Sequence, residues 1–427
     1  MEPLTGLAIV SGAAMLFGLF KWGNRQEEDE WVGAAEAAGV VVDTRLRAFG
    51  FFHGLKGRVQ GQPALTVEVT EAEHGTHIRV DGLSGVAALR LATEGIVERV
   101  LGQGDPRVGD DAFDRVLVIG GPAWLAQATL DAPTRAAVLA VFGGIFAVTV
   151  GTKRVSMVAR AELKNGRLDV ALMKSHGPGD GERLEGALRL VVGAATRLGA
   201  ARDMPAALAA GAGGDPLPAV RLQSLRALAR DFPDATQTRE ALRAACDDPE
   251  DAVALSAALA LGAAAGPVLL RLATASADED VAAAALRTLP EALPPGQPAA
   301  LLDDALRTRR FRKARAAIEV LAAGAGPDAA AAEPLLLAAL ASGDAELAEA
   351  AAQLLGRVGT AAAVLPLQES AGGLGVAARA TALWAVDAIQ ARLRGATPGQ
   401  LSLAGGESGQ VSLTDPAGGR VTLSGDE

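Results

Sequence analysis

The chain has 427 residues, which is long for one compact domain, so two or three structural units are expected. Half of the residues are apolar, only 3% are aromatic and tyrosine is absent. Alanine, leucine and valine must therefore form the cores, which suits close-packed helices better than deep ligand pockets lined by aromatic residues. The net charge of −10 disfavours a dedicated nucleic-acid binder, and the single cysteine excludes an intrachain disulfide and a cysteine-based metal site.

The first predicted element is a membrane anchor. Residues 4–20 read LTGLAIVSGAAMLFGLF, an uncharged run at the short end of the length of a membrane-spanning helix. Lys21 and Trp22 follow, as flanking residues at a membrane interface do. Because Lys21 and Arg25 come after the apolar run, the segment differs from a cleaved signal peptide, and the positive-inside rule places the rest of the chain in the cytoplasm. We expect a single-pass anchor; a signal peptide and a buried helix are the alternatives.

Residues 31–201 mix strand and helix patterns, which predicts an α+β domain. Leu65, Val67 and Val69 alternate with polar residues, and a similar run follows the His74-Gly75 pair, so a hairpin is expected. A second hairpin is predicted around Asn165-Gly166, because both residues accept the positive φ that tight turns require. Two helices are predicted in addition, over residues 131–142 and 184–198.

Three patterns in this domain invite a functional interpretation. The run from Arg115 to Gly121 is similar to a strand that enters a dinucleotide-binding loop, but bulky Trp124 stands where close approach to a cofactor is needed. Potential zinc ligands surround a predicted hairpin tip, where solvated polar residues are usual; they are Glu71, Glu73, His74 and His77. The sequence has no nucleophile elbow or metalloprotease motif, and Cys246 fits a small buried side chain better than a nucleophile. We therefore expect no cofactor, no metal and no catalytic residue, although carboxylates distant in sequence can still meet in the fold.

Residues 211–216 have the composition of a linker, and beyond them the chain repeats with a period near thirty residues. One repeat position is occupied by Val220, Val253, Val281, Lys313, Leu347 and Val376. Eight residues later stand Leu228, Leu261, Leu289, Leu321, Leu355 and Trp384. Several units begin with an acidic turn whose carboxylate is suited to cap the next helix, at Asp215, Asp248, Asp278 and Asp344. Units of this length, with two helices each, bury their apolar faces only against neighbouring units.

This repeat is similar to the HEAT-repeat family, and above all to the shorter HEAT-like repeats that are also found in phycobilin lyases. The resemblance rests on Asp215–Leu228, Asp278–Leu289 and Asp344–Gly356, and it covers residues 215–393. It implies an α-solenoid that binds a protein partner; a plain helical bundle is the alternative. Lys313 departs from the pattern, which leaves the register of the fourth unit open. Lyase chemistry is not implied, because the resemblance lies in scaffold positions.

A basic cluster within the predicted solenoid is the candidate binding site. It surrounds Phe311 and consists of Arg307, Arg309, Arg310, Phe311, Arg312, Lys313 and Arg315. Such charges could contact an acidic protein, nucleic-acid phosphate or anionic lipid. The alternative is an ordinary solvated helix surface.

After Pro398 the chain repeats with a period of ten, in copies that begin at Gly399, Gly409 and Gly419. Each copy alternates apolar and hydroxyl residues, which predicts short strands, but isolated strands of this length are unstable in water. The tail, residues 398–427, is therefore expected to be flexible and of low complexity, or else to pair with a partner's sheet.

The sequence thus predicts a multidomain protein: a transmembrane helix (4–20), an α+β domain (31–201), a linker (211–216), an all-α HEAT-like solenoid (215–393) and the tail (398–427). The predicted function is a non-enzymatic scaffold or adaptor, tethered to a membrane, whose solenoid binds a protein partner at the cytoplasmic face. One alternative is an enzyme with its site in the α+β domain and the solenoid as a docking module. The other is a basic-faced solenoid that binds nucleic acid or anionic lipid.

Overall fold

The structure, a computed structural model, describes residues 25–48, 51–72, 75–93, 106–143, 147–150, 153–156, 158–173, 180–289, 293–324, 327–372, 375–392, 401–403 and 411–413. The chain divides into two compact units, Met1–Ala245 and Cys246–Glu427. The first has an antiparallel sheet with helices, and the second is helical apart from two short strands, so the fold is α+β followed by all-α. The boundary between the units lies at Ala245, not at the predicted linker.

The first unit is built on an eight-stranded sheet with the order β1-β2-β3-β4-β10-β9-β5-β6, in which all neighbours are antiparallel. Its strands are β1 (Val40–Ala48), β2 (Phe51–Val59), β3 (Gln62–Ala72), β4 (Gly75–Asp81), β5 (Arg90–Thr93), β6 (Leu117–Gly120), β9 (Val158–Lys164) and β10 (Arg167–Met173). A separate hairpin is formed by β7 (Ala147–Val150) and β8 (Lys153–Ser156).

Both predicted hairpins of this sheet are confirmed. Strands β3 and β4 pair with Val67 opposite Val80, and β9 and β10 pair around a turn in which Asn165 and Gly166 have φ angles of 54° and 71°. Because β4 pairs directly with β10, the two hairpins lie side by side at the centre of the sheet.

Eight helices accompany the sheet in the described part of the first unit. They are α1 (25–37), α2 (Asp111–Val116), α3 (Ala123–Thr129), α4 (Ala132–Phe142), α5 (Asp180–Leu198), α6 (Met204–Gly214), α7 (Pro218–Asp231) and α8 (Thr236–Ala245). The predicted helices correspond to α4 and α5, and Asp131 caps α4 by accepting a hydrogen bond of 2.8 Å from the Thr134 amide. Helix α5 packs on β3 and β4, and α4 packs on β9, so the alternating apolar residues of these strands are buried beneath helices.

The other side chains of the central strands form cross-strand ion pairs. Arg79 of β4 lies 2.9 Å from Asp169 of β10 and 3.9 Å from Glu68 of β3, and all three are partly exposed. One face of the sheet therefore forms the core and the other carries charges that neutralise one another across strands.

Arg135 of α4 is a deeply buried charge of the first unit, with a side chain that is 3% exposed. It donates two hydrogen bonds, of 2.9 and 3.1 Å, to the equally buried Asp215 and one of 2.9 Å to Asp110. The predicted linker, residues 211–216, is therefore part of the first unit. Residues 211–214 are the last turn of α6, and Asp215 follows directly as the buried partner of Arg135. This ion pair fixes the α6–α7 connection to the α+β domain.

The second unit contains ten described helices. They are α9 (Asp251–Leu261), α10 (Gly266–Ala275), α11 (Glu279–Arg287), α12 (Gln297–Arg307), α13 (Phe311–Gly324), α14 (Pro327–Ala331), α15 (Glu333–Leu340), α16 (Ala345–Val358), α17 (Val364–Ala371) and α18 (Val376–Arg392). Consecutive helices pack in pairs. In addition α9, α11, α13, α16 and α18 pack one on the next, as do α12, α15 and α17, so the unit has two layers of helices. We call the first of these the long layer.

Two of the four predicted acidic caps are present in the structure. Asp278 caps α11 by accepting from the amides of Asp280 and Val281, and Asp344 caps α16 by accepting from the amide of Leu347. Lys313 is fully buried, like Val253 and Leu347 at its repeat position, and its Nζ lies 3.1 Å from a carboxylate oxygen of the half-exposed Asp304. A partly buried ion pair thus takes the place of an apolar contact at this position.

Trp384 does not follow the repeat. At its repeat position Leu228, Leu321 and Leu355 are buried between helices, yet Trp384 is 51% exposed. The buried positions of α18 include Ala378, Ala382, Ala385 and Ile389. These follow a spacing of three and four residues, and Trp384 lies beside that stripe on the surface.

Among the described residues one helical stretch, Asp251–Ala275, is long and apolar enough to cross a membrane by length and composition alone. It has 25 residues, and its most apolar 18-residue window has a mean hydropathy of 2.0, with 33% of that window buried. This stretch comprises α9 and α10, which are separated by Gly262 at a φ of 64° and a short 3-10 turn. The two helices pack on each other and on α11, so we interpret them as a helix pair of the second unit. The predicted anchor, residues 4–20, lies outside the described residues.

The first two tail copies form strands, β11 (Leu401–Leu403) and β12 (Val411–Leu413), and the third copy lies outside the described residues. They pair with each other in an antiparallel arrangement in which Ser402 lies opposite Ser412. The predicted flexibility of the tail stays a prediction, and the ten-residue period is the spacing between two strands that pair with each other.

Replacement of Arg135 by methionine should lower the free energy of unfolding by about 3–5 kcal/mol, because Asp215 and Asp110 would keep their charges without a buried partner. Arg58→Met is the matched control, since Arg58 pairs with Asp43 where both side chains are exposed. Calorimetry of the full chain measures both variants. Equal melting of Arg135→Met and Arg58→Met would show that the buried pair does not stabilise the first unit.

Candidate functional site

The long layer of the second unit has an open groove of about 550 Å³. Helices α13, α16 and α18 each contribute side chains to it. Its apolar lining comprises Ile318, Ala322, Ala350, Leu354, Ala380 and Trp384. Its polar lining comprises Glu319, Gln353, Arg357 and Thr381. A lining that combines apolar and polar side chains is typical of protein interfaces.

Trp384 owes its position to Gly356 on the neighbouring helix. A Cβ atom added at residue 356 would lie 2.6 Å from the indole Cζ3 of Trp384 and 3.1 Å from the Cα of Ala385. The glycine therefore lets α16 and α18 approach closely, and the indole rests against the α16 backbone with half of its surface exposed. Tryptophan is among the residues that contribute most to protein binding when an interface covers them.

The two charged residues of the groove differ in their surroundings. The carboxylate of Glu319 accepts hydrogen bonds of 2.6 Å from Arg287 and 3.1 Å from Arg315. Arg357, in the last turn of α16, is exposed and makes no ion pair with any residue that the structure describes. The groove thus offers one cation that is available to a ligand.

The basic cluster, by contrast, is largely neutralised. Arg312 is paired with Asp280, and Arg315 is paired with Glu346 as well as Glu319. These bonds join α13 to α11 on one side and to α16 on the other, so they connect consecutive helices of the long layer. The buried Lys313 is paired with Asp304.

The remaining members of the cluster have different environments. Arg307 lies 3.1 Å from Asp303, and Arg310 donates a hydrogen bond of 2.7 Å to the carbonyl of Ser276. Phe311 is half-buried at the start of α13. Arg309 has a φ of 55° and makes no side-chain hydrogen bond within the described parts of the chain. The structure therefore does not gather these charges into one free cationic surface, and their role in binding stays a prediction.

The α+β domain brings two carboxylates together near Arg135. Asp110 caps α2 and accepts a hydrogen bond from Arg135, while Asp114 accepts hydrogen bonds from the amides of Val108 and Gly109. Burial raises the pKa of Asp114, and the two amide hydrogen bonds oppose that rise. Both carboxylates are engaged in fixing the turn before α2, so their proximity is explained by local structure.

The other candidates of this domain are placed as follows. Residues 117–120 form β6, Gly121 has a φ of 112°, and α3 begins at Ala123, so this segment is a strand-turn-helix connection. Arg115, where the strand pattern began, belongs to α2. Glu71 and His77 lie on β3 and β4, whereas Glu73 and His74 lie outside the described residues. Among the described residues no group of three or more His, Cys, Asp or Glu side chains could hold a metal ion.

Cys246 is buried, 7% exposed. Burial, reinforced by the charge of Asp247, raises the pKa of its thiol, while Arg271 acts weakly in the opposite direction. The thiol is therefore protonated at neutral pH and is a poor nucleophile, as the sequence suggested.

The groove was not predicted from the sequence. Trp384 was assigned to a buried repeat position, and Arg357 was not singled out. A helical projection of residues 376–392 would have shown that the tryptophan lies off the stripe of small buried residues.

Comparison with known proteins gives no match: no family model, curated protein or solved structure matches the chain. The similarity to HEAT-like repeats thus stays a prediction from the sequence.

Replacement of Arg309 by glycine should raise the free energy of unfolding by about 0.5–1 kcal/mol, because the left-handed backbone conformation is strained for arginine and not for glycine. Arg309→Ala removes the same charge without relieving the strain and should not stabilise the protein. Thermal unfolding of the two variants measures the difference. A loss of stability in Arg309→Gly would contradict a purely conformational role for this position.

Proposed function

We propose that this protein is a membrane-tethered, HEAT-like scaffold whose second unit binds a segment of a protein partner in the groove of the long layer. The observation that carries the proposal is the half-exposed Trp384, which lines a groove of about 550 Å³ together with other, mostly apolar side chains. Exposure of a large aromatic side chain is costly in water, and a protein partner would remove that surface from solvent.

The walls of the groove are helices that are held in place by bonds between consecutive repeats. Arg287 of α11 bonds to Glu319 of α13, and Arg392 of α18 donates a hydrogen bond of 2.6 Å to the carbonyl of Gly359 after α16. A rigid groove loses little conformational entropy when it binds, which favours affinity from a modest contact area. This architecture needs no catalytic residue in order to act.

The tether follows from residues 4–20, whose length and composition fit a single membrane span, with Lys21 and Trp22 at its end. Fixing the second unit at a membrane raises the local concentration of the groove near partners at the same surface. A higher local concentration of binding sites is what a scaffold contributes to complex formation.

The alternatives have less support. Four of the six charges of the basic cluster are engaged in ion pairs, those of Arg307, Arg312, Lys313 and Arg315. This weakens the electrostatic argument for nucleic acid or anionic lipid. The enzyme alternative would be favoured by carboxylates with shifted pKa values in a cleft of the α+β domain, and the pair that comes closest, Asp110 and Asp114, is engaged with Arg135 and backbone amides.

Trp384→Ala should reduce recovery of the partner at least about tenfold, since truncation of a central tryptophan removes the main apolar anchor. The measurement is a crosslinked pull-down of the full chain from membranes that have been washed at high salt, with recovered proteins quantified by mass spectrometry. Leu365→Ala is the matched control, because Leu365 is similarly exposed but lies on α17, outside the groove.

Two results would contradict the proposal. Release of the protein by the salt wash would rule out a spanning anchor. Equal recovery of the same partner by Trp384→Ala and by the unchanged chain would place the binding site elsewhere.

A further inference from the structure

The groove has a charge preference that its two ionised residues determine. Glu319 is held by Arg287 and Arg315, and Arg315 is held in turn by Glu346. A cationic side chain of a ligand would have to compete with these arginines for the Glu319 carboxylate. The acidic residue of the groove is therefore already satisfied.

Arg357 has the opposite character. It is exposed, and its side chain makes no hydrogen bond or ion pair with the residues that the structure describes. It follows directly after Gly356, the residue against which the indole of Trp384 rests. An apolar anchor and an available guanidinium thus line the same groove.

We propose that the groove binds an acidic-apolar protein segment, in which an aliphatic or aromatic side chain packs on Trp384 and a neighbouring carboxylate pairs with Arg357. This inference rests on the proposed function, since it assigns the chemistry of the partner to the same groove. The net charge of the whole chain is −10, so general electrostatics would repel such a segment and only the local environment of Arg357 favours it. Recognition therefore depends on both contacts together.

The size of the charge effect follows from the position of Arg357. As an exposed ion pair it would contribute little, but a partner that covers Trp384 would also remove water from the guanidinium and strengthen the pairing. Reversal of this charge should change affinity for acidic peptides by about tenfold or more, and it should reverse the preferred charge of the ligand.

The probe for the test is a library of short random peptides displayed on phage and selected on the full chain in detergent. Selection on the unchanged protein should enrich peptides with Asp or Glu beside an aliphatic or aromatic residue. Selection on Arg357→Glu should enrich Lys or Arg at those places. Arg379→Glu is the matched control, because Arg379 is an exposed arginine of α18 that does not line the groove, and it should leave the acidic preference unchanged.

Enriched peptides are then synthesised, and their affinities for the unchanged protein, Arg357→Glu and Trp384→Ala are measured by fluorescence anisotropy. One outcome is that peptides lose binding to Trp384→Ala but show no acidic preference, or show the same acidic preference with Arg357→Glu as with the unchanged protein. This outcome would overturn the inference and leave the groove as a binding site. Peptides that bind Trp384→Ala unchanged would overturn both the inference and the proposed function. Failure to enrich any peptide, with partner recovery still dependent on Trp384, would overturn only the acidic-apolar assignment.

Discussion

Close approach of small side chains is the constraint on which the second unit depends. Alanines of consecutive helices in the long layer are fully buried, and Gly356 brings α16 against α18 at a distance that a Cβ atom would not permit. Alanine buries little apolar area, so such an interface gains less from the hydrophobic effect than one built of leucine. Arginines at the edges of the layer add bonds between consecutive helices, as Arg312 does to Asp280 and Arg315 to Glu346.

The same constraint explains the groove. A layer that is packed through small residues has no internal space for an indole, so Trp384 remains on the surface beside the stripe of buried alanines. Part of the basic cluster has the same origin, because Arg312 and Arg315 complete the contacts between consecutive helices of the layer. Arg357 makes no ion pair with the residues that the structure describes. Under the proposed function, cohesion of the layer and recognition of a partner therefore use different arginines.

Local patterns in the sequence predict local structure well here. The Asn165-Gly166 turn and the caps at Asp278 and Asp344 follow from alternation, turn chemistry and repeat spacing. Contacts between distant residues could not be predicted in this way: Arg135 meets Asp215 across 80 positions, which turns a predicted linker into part of the first unit. The partners of Arg312 and Arg315 lie 32 and 31 positions away, about one repeat, so a search one period along the chain would have found them. The exposure of Trp384 could not be predicted from the repeat alignment, because the alignment assigns to Trp384 the burial of the leucines at the same position.

The proposed function places a protein partner in the groove of the long layer. The most direct test replaces Ala380, which lines the groove, with a photo-crosslinking amino acid and compares it with the same replacement of Ala338, an exposed residue of α15 in the other layer. Irradiation of the full chain in membranes should crosslink a specific protein from position 380 and not from position 338. A specific crosslink from position 338 alone, or from neither position, would contradict the account.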